Sequence, residues 1–129
     1  MVTIMERKAK IKFGKVGVLM GGPSTERSIS LKSGEAVVNA LKEEGLDVVA
    51  LDIKTADASE NLRLIKNAGM DIAFIALHGR FGEDGQMQDI LEYLGIPYTG
   101  SGVLASRLAL DKIASRQLFQ IYGLAVPRY

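Results

Sequence analysis

The sequence predicts an α/β domain in which a parallel sheet of about four strands is covered by helices on both faces. Short apolar runs alternate along the chain with segments of helical periodicity, which is typical of parallel strands joined by right-handed crossovers. Glycine follows most of these segments and marks their ends. The 129 residues, of which 47% are hydrophobic, suffice for one domain with a single core. We therefore expect a Rossmann-like, three-layer domain over residues 15–129, preceded by a basic tail at residues 1–14.

Two strands and two helices alternate over the first half of the chain. We predict them at Lys15–Gly21, from Ser28 or Ser30 to about Glu44, at Asp47–Ile53 and at Ala58–Ala68. Each strand segment is rich in apolar residues, as expected for strands buried on both faces. Helical spacing predicts that the inner face of the first helix consists of Ala36, Val37, Ala40 and Leu41. Gly45 and Gly69 follow the two helices and can end them.

The second half continues the alternation after a glycine-rich loop. We predict strands at residues 72–77 and 97–99, and helical segments at residues 86–94 and 103–122, the last broken near Leu108. Residues 72–77 form the most hydrophobic strand, which favours a central place in the sheet. Asp84 is interpreted as the N-cap of the helix that starts at Gln86.

Composition narrows the classes of function. The sequence has no cysteine, which excludes disulfides and thiol ligands or nucleophiles. A net charge of +1 gives no sign of a nucleic-acid or membrane partner. No apolar run is long enough to span a membrane, and the N-terminus lacks the apolar segment of a secretory signal. These features predict a cytoplasmic protein.

Three polar clusters come directly after predicted strands. They are residues 21–30, 78–85 and 99–102. Because the carboxyl ends of parallel strands lie along one edge of a sheet, the three clusters are expected to meet in one crevice. Gly21 and Gly22 allow a sharp turn and a close approach of the backbone to a ligand.

Glu26 has two interpretations. As an acid near a helix N-terminus, it would stabilise that helix by some tenths of a kcal/mol. As a carboxylate at the end of the first strand, it could instead accept hydrogen bonds from the ammonium group of a substrate.

His78 is the only histidine, and a lone histidine beside a strand is often structural. Its place at the end of a strand and at the start of a glycine-rich loop favours a function, as a donor to a substrate carboxylate or in proton transfer. One histidine without cysteine does not make a metal site, so no metal is expected in this chain.

Known nucleotide-binding fingerprints are absent. Gly21 and Gly22 do not belong to a G-x-G-x-x-G motif, and Asp52 lies about 30 residues after them, beyond the usual ~20. No Gly-Lys-Ser/Thr follows, which excludes a P-loop. Lys112 is either a solvated partner of Arg116 or a neighbouring acid, or a point charge for a phosphate.

Four segments together resemble the N-terminal domain of D-alanine–D-alanine ligases. They are GGPSTERSIS at residues 21–30, ALHGRFGEDG at 76–85, IPYTGSG at 96–102 and ALDK at 109–112. The resemblance covers the chain from about Lys15 onwards, with the segments in the family's order and at similar spacing. It implies a pre-ATP-grasp domain, the substrate-binding N-terminal part of an ATP-grasp ligase.

The resemblance also implies roles for individual residues. Glu26 would hold the ammonium group of the first D-alanine, and His78 would lie near its carboxylate, so that both are candidate catalytic residues. Other residues implied to line the substrate pocket are Ile29, Gly79, Glu83, Ser101 and Gly102. Lys112 would reach the phosphates of ATP.

The implied reaction joins two D-alanines into D-alanyl-D-alanine through a D-alanyl phosphate, for peptidoglycan synthesis. ATP and Mg²⁺ (or Mn²⁺) would bind mainly to the central and C-terminal domains, which this chain lacks, so the chain alone is expected to be inactive. The full-length enzyme is expected to be a homodimer. D-lactate and D-serine stay open beside D-alanine as the second substrate.

Two other interpretations remain from the sequence. The chain could be a stand-alone Rossmann-like module that binds a small ligand without catalysis, or an interaction and dimerisation domain. A nucleotide-binding domain encoded after Tyr129 would favour the ligase, and a stop codon there would favour the binding module.

Overall fold

The computed structural model describes residues 13–128 of the chain. The elements are β1 Lys15–Gly21, α1 Arg27–Glu43, β2 Asp47–Ile53, α2 Ala58–Ala68, β3 Ile72–Ile75, α3 Gln86–Tyr93, α4 Val103–Leu110 and α5 Lys112–Ile121. The predicted basic tail lies outside the described residues except for Phe13 and Gly14. The α/β class is confirmed, and β1, β2 and α2 have the predicted bounds.

The three strands are parallel in the order β2-β1-β3. β1 is the central strand, and it is buried from Val16 onwards. The prediction that residues 72–77 are central was wrong, because β3 ends at Ile75 and lies to one side of β1. Hydrophobicity alone could not show which of the strands β1 and β3 is the central one. Their order follows from the crossovers, which carry the chain from β2 across β1 to the other side of the sheet.

The fourth strand predicted at residues 97–99 is reduced to one parallel bridge between Ala73 and Tyr98. The N–H of Ala73 donates to the carbonyl of Pro97 at 2.9 Å, and the N–H of Thr99 donates to the carbonyl of Ala73 at 3.0 Å. The N–H of Ile75 then donates to the hydroxyl of Thr99 at 3.1 Å instead of to a backbone carbonyl. This side-chain bond ends the ladder, so the sheet has three strands rather than four.

Hydrophobic clusters on both faces of the sheet confirm the three layers. One cluster includes Leu19, Ile53, Ile65, Met87 and Leu91, and joins the sheet to α2 and α3. The other consists of Val18, Met20, Val38 and Ala76, and lies beneath α1. Because both faces carry helices, the ends of β1 and β3 are the part of the sheet left open to a ligand.

Helix α1 faces the sheet with smaller residues than predicted. Its buried residues are Ser30, Gly34 and Val38, whereas Ala36 and Ala40 are exposed. A Cβ on Gly34 would lie 2.9 Å from Cγ of Met20, so only glycine allows the helix to approach β1 this closely. The predicted inner face was therefore wrong at both alanines and right only for the half-buried Val37 and Leu41.

Neither predicted serine caps α1. The N-cap is Glu26, and no side chain makes a capping hydrogen bond. Ser30 instead lies fully buried one turn into the helix, where its hydroxyl accepts from the N–H of Gly21 at 2.9 Å and donates to the carbonyl of Ala76 at 2.7 Å. This serine ties the ends of β1 and β3 together behind the predicted crevice.

The last helical region breaks at Asp111, three residues after the predicted position. The carboxylate of Asp111 accepts from the N–H groups of Ile113 and Ala114, each at 3.0 Å, and so caps α5. Helix α5 has no buried residue. Over residues 13–128, no helix combines the length and the apolar character needed to cross a bilayer.

Candidate functional site

The turn after β1 is held close to the loop after β3. Gly21 and Gly22 have φ angles of 86° and 84°, which favour glycine, and they turn the chain sharply at the end of the strand. The hydroxyl of Ser24 then donates to the carbonyl of His78 at 2.9 Å. This bond joins two of the polar clusters that the sequence predicted to meet.

A first groove, here called the Glu26 groove, encloses about 420 Å³ between that turn and the loop. One wall carries Ser24, Thr25 and Glu26, and the other carries Gly79, Arg80, Phe81 and Gln86. A Cβ on Gly79 would lie 2.5 Å from Oε2 of Glu26, so glycine at this position leaves room for the carboxylate. The missing side chain at Gly79 thus keeps the groove open beside Glu26.

The carboxylate of Glu26 is exposed and is not used for helix capping, although Glu26 is the N-cap of α1. No ion pair joins it to a cation among the described residues. The Glu26 carboxylate is therefore not used to cap the helix, and it is available to bind a cationic ligand.

A second groove, here called the His78 groove, encloses about 370 Å³ and is lined by other residues of the same loop. The polar residues that line it are His78, Glu83, Gln88, Thr99, Ser101 and Ser106. Nε2 of His78 lies 3.3 Å from the hydroxyl of Ser33, and Nδ1 lies 3.8 Å from Oε1 of Glu83. Both ring nitrogens thus have polar neighbours that can set the orientation of the imidazole.

The predicted site residues fall into two sets. Glu26 and Gly79 line the Glu26 groove, and His78, Glu83 and Ser101 line the His78 groove. Ile29 is 55% exposed and lines neither groove. Gly102 is the N-cap of α4, and Lys112 is the exposed first residue of α5; both lie outside the two grooves. The loop at residues 78–85 is the shared wall that brings the two sets together.

This loop is held by Asp84, which is not the helix N-cap that the sequence predicted. The N-cap of α3 is Gly85. The carboxylate of Asp84 accepts from the N–H of Phe81 at 3.0 Å and from the N–H of Gln86 at 3.1 Å. It thereby supports Phe81, which is buried and is the one described non-glycine residue with a positive φ, 75°.

The pKa of Asp84 lies below its ordinary value. Burial raises this pKa, but the hydrogen bonds from the backbone N–H of Phe81 and from Gln86 to the ionised carboxylate lower it by more. Since the pKa is depressed in the folded state, the carboxylate stabilises the fold fully above the pKa of the unfolded chain. The stabilisation is lost as the pH falls through the folded-state pKa.

We expect Asp84→Asn to lower the free energy of unfolding at pH 7 by about 1–2 kcal/mol, because one N–H of the loop loses its acceptor. The difference from the wild type should shrink as the pH falls from about 5 to about 2, where the wild-type carboxylate becomes protonated. Urea unfolding across this range measures it. Asp47→Asn, at an exposed carboxylate, serves as the control, and an equal pH dependence in both variants would contradict the expectation.

An ion pair that the sequence analysis missed joins the start of α1, next to Glu26, to the end of β2. Nη2 of Arg27 lies 2.8 Å from Oδ2 of Asp52, and Nη1 donates to the carbonyl of Ile53 at 3.0 Å. The hydrogen bond to Asp52 raises the pKa of Arg27 despite some desolvation. Asp52 thus pairs with Arg27. The only signal in the sequence was that β1 and β2, if they are neighbouring strands, end close together and so bring Arg27 near Asp52.

Comparison with known proteins gives consistent matches. The family model described as the D-ala D-ala ligase N-terminus matches residues 15–63 and 55–101. The chain is 55% identical over 117 residues to the D-alanine–D-alanine ligase of Pseudomonas entomophila, covering 91% of the chain and 36% of that relative. It is 58% identical over 116 residues to the enzyme of Cupriavidus metallidurans, covering 90% and 34%.

A solved structure agrees with the sequence matches. The D-alanine–D-alanine ligase of Bacillus anthracis complexed with ATP is 36% identical, with a TM-score of 0.78 over 88% of this chain and 38% of that one. The chain spans about a third of the length of the curated relatives described above.

Proposed function

Because this chain belongs to the family of D-alanine–D-alanine ligase N-termini, we propose that it is the substrate-binding part of an ATP-dependent ligase. The ligase joins two D-alanines into D-alanyl-D-alanine for peptidoglycan synthesis. The observation that carries the proposal is the contact between the turn that presents Glu26 and the loop that starts at His78. Both segments lie within the family match.

Glu26 is proposed to bind the ammonium group of the first D-alanine. The support is its exposed carboxylate at the wall of an open groove, without a cationic partner among the described residues. A charged hydrogen bond of this kind orients the amino acid and contributes about 1.5–3 kcal/mol. The Glu26 groove is thus the proposed place of the amino end of the substrate.

His78 is proposed to act near the carboxylate of the same D-alanine. The imidazole can donate a hydrogen bond to a carboxylate, and Glu83, with Oε1 3.8 Å from Nδ1 of His78, can help to orient the ring. Gly79 would let the substrate pass close to the backbone of the loop, and Ser101 would add a hydroxyl donor from the other wall of the His78 groove. Ile29 and Gly102 would border the pocket at a greater distance.

ATP and a divalent cation are proposed to bind mainly outside this chain. Over residues 13–128, no group of three or more His, Asp or Glu side chains is placed to hold a metal ion, so the described chain does not fit Mg²⁺ by itself. Lys112 does suit a phosphate, because its exposed ammonium lies at the positive N-terminal end of α5. ATP would supply the phosphoryl group that activates the carboxylate of the first D-alanine.

The full-length ligase is proposed to be a cytoplasmic homodimer. The support is that large apolar side chains are exposed on α4, on α5 and at the C-cap of α5, among them Leu104, Ile113, Ile121 and Tyr122. Such side chains are typical of surfaces that another domain or subunit covers.

The full-length protein that contains this chain provides the test. With ATP and Mg²⁺, phosphate release should depend on D-alanine and not on L-alanine, and mass spectrometry should detect D-alanyl-D-alanine. Replacing half of the D-alanine with D-lactate or D-serine shows which second substrate is accepted. A folded, ATP-binding full-length protein without any dependence on D-alanine would overturn the ligase proposal and favour a binding module.

A further inference from the structure

Gln88 is a buried polar residue beneath the loop at residues 78–85. It lies on α3 and is 5% exposed. Its Nε2 donates to the carbonyl of Gly82 at 2.8 Å. Its Oε1 is buried and has no hydrogen-bond partner among the described residues. An unpaired buried acceptor destabilises a fold, so the presence of an amide here calls for a reason other than stability.

The orientation of this amide follows from its neighbour. If the amide were turned over, Oε1 would face the carbonyl oxygen of Gly82, and two acceptors would repel each other. The donor must therefore face Gly82, and the unpaired Oε1 is the consequence. What the amide provides is the hydrogen bond to Gly82, which an apolar side chain of the same shape could not form.

Gly82 in turn lies against the backbone of His78. A Cβ on Gly82 would overlap the side chain of Leu77 and lie 2.9 Å from its carbonyl carbon and 3.2 Å from the nitrogen of His78. Gly82 is thus packed against the backbone of Leu77 and His78 and cannot shift toward it without a clash. A bond that fixes Gly82 also fixes the backbone from which the imidazole projects.

The same loop forms one wall of each groove. Gly79 and Phe81 line the Glu26 groove, whereas His78 and Glu83 line the His78 groove. The N–H of Glu83 donates to the carbonyl of Gly79 at 2.9 Å, which links the two sides of the loop. A displacement of Gly82 would therefore alter both grooves at once.

We propose that Gln88 is a positioning residue, which holds Gly82 and thereby sets His78 and Glu83 relative to Gly79 and Glu26. For catalysis this inference rests on the proposed ligase function. The placement of the loop, however, can be measured without any activity.

The main variant is Gln88→Met, which keeps the length of the side chain but removes both the donor to Gly82 and the unpaired acceptor. The matched control is Gln117→Met, at an exposed position of α5. Hydrogen exchange of residues 79–84 should become about tenfold faster in Gln88→Met and stay unchanged in the control. His78 is the only histidine of the sequence, so its imidazole NMR signals report on the same loop without ambiguity and should shift only in Gln88→Met.

Kinetic constants of the full-length ligase, compared with its stability, show whether Gln88 positions the loop or only stabilises the fold. We expect Gln88→Met to raise KM for D-alanine about tenfold while the urea midpoint stays close to that of the wild type. Wild-type protein without D-alanine-dependent turnover would refute the ligase proposal, and the exchange data would still decide on positioning. Unchanged exchange and unchanged His78 signals would overturn the positioning role even in an active ligase.

Gln88→Glu serves as a second variant if Gln88→Met does not fold. An ionised glutamate cannot donate to Gly82, but a protonated one can. Loop protection, corrected for intrinsic exchange rates, should be lost at a pH at which the buried carboxylate is ionised and return as it is protonated. Protection equal to that of the wild type at a pH where NMR shows the introduced carboxylate to be ionised would refute the inference.

Discussion

Replacing Glu26 by glutamine is expected to lower kcat/KM for the first D-alanine about 100-fold in the full-length ligase. The carboxylate is exposed at the wall of the Glu26 groove and is not used to cap α1. Glutamine keeps the shape but loses the charge that would bind the ammonium group. A charged hydrogen bond is worth about 1.5–3 kcal/mol, which corresponds to roughly 10- to 150-fold in rate. The loss should appear mainly as a higher KM, measured by ADP formation at varied D-alanine.

The matched control is Glu35→Gln, which makes the same substitution at an exposed position further along α1. It should leave the kinetic constants unchanged. Equal kcat/KM values for Glu26→Gln and the wild type would remove Glu26 from the substrate site. If the two variants lost the same amount of activity, the effect would arise from the charge of the helix and not from contact with the ammonium group.

The parts of the fold that the sequence predicted correctly have strong local signals. β1 is an apolar run buried along nearly its whole length, and β2 is an apolar run at the edge of the sheet that is buried only at Leu51 and Ile53; the bounds of both were predicted correctly. Helix α2 begins after Asp57, whose side chain accepts from the N–H of Glu60, and ends at Gly69 with a positive φ. These signals depend on the residues themselves and their immediate neighbours.

The wrong predictions of the fold concern features that are determined by tertiary contacts. Helix α1 approaches β1 through Ser30 and Gly34, and hydrophobic periodicity does not register small residues as an inner face. The predicted strand at residues 97–99 was lost because a hydroxyl, that of Thr99, takes the N–H of Ile75. Neither feature has a periodic pattern, and both depend on a partner far away in the sequence.

The candidate site was predictable to a similar degree. Glycine-rich turns at the ends of β1 and β3 were expected to meet, and the bond from Ser24 to His78 joins them. The functions of the site residues stay predictions. The supports beneath the loop escaped the sequence analysis, because the hydrogen bonds of Asp84 and Gln88 to backbone groups leave no repeating signal.

Gly82→Ala is expected to lower the free energy of unfolding by about 3 kcal/mol, the upper part of the usual range for overpacking. The added Cβ would overlap the side chain of Leu77 and lie 2.9 Å from its carbonyl carbon. The backbone there cannot retreat easily, because Leu77 is buried beneath the sheet end and Gly82 is bonded to Gln88. Urea unfolding measures the loss, and the NMR signals of His78 should shift in the folded fraction.

Alanine substitutions at two other glycines show whether the loss of stability in Gly82→Ala comes from the rigidity of the surrounding backbone and not from crowding alone. A Cβ on Gly102 would lie 3.7 Å from Oε1 of Glu92, an ordinary contact, so Gly102→Ala should cost no more than about 1 kcal/mol, the usual cost of alanine at a helix N-cap. A Cβ on Gly17 would overlap Sδ of Met70, but methionine is flexible and can move aside. The expected order of destabilisation is therefore Gly82 above Gly17 above Gly102. If Gly82→Ala were as stable as Gly102→Ala, the loop would be able to shift as a unit, and neither Gly82 nor Gln88 could fix the position of His78.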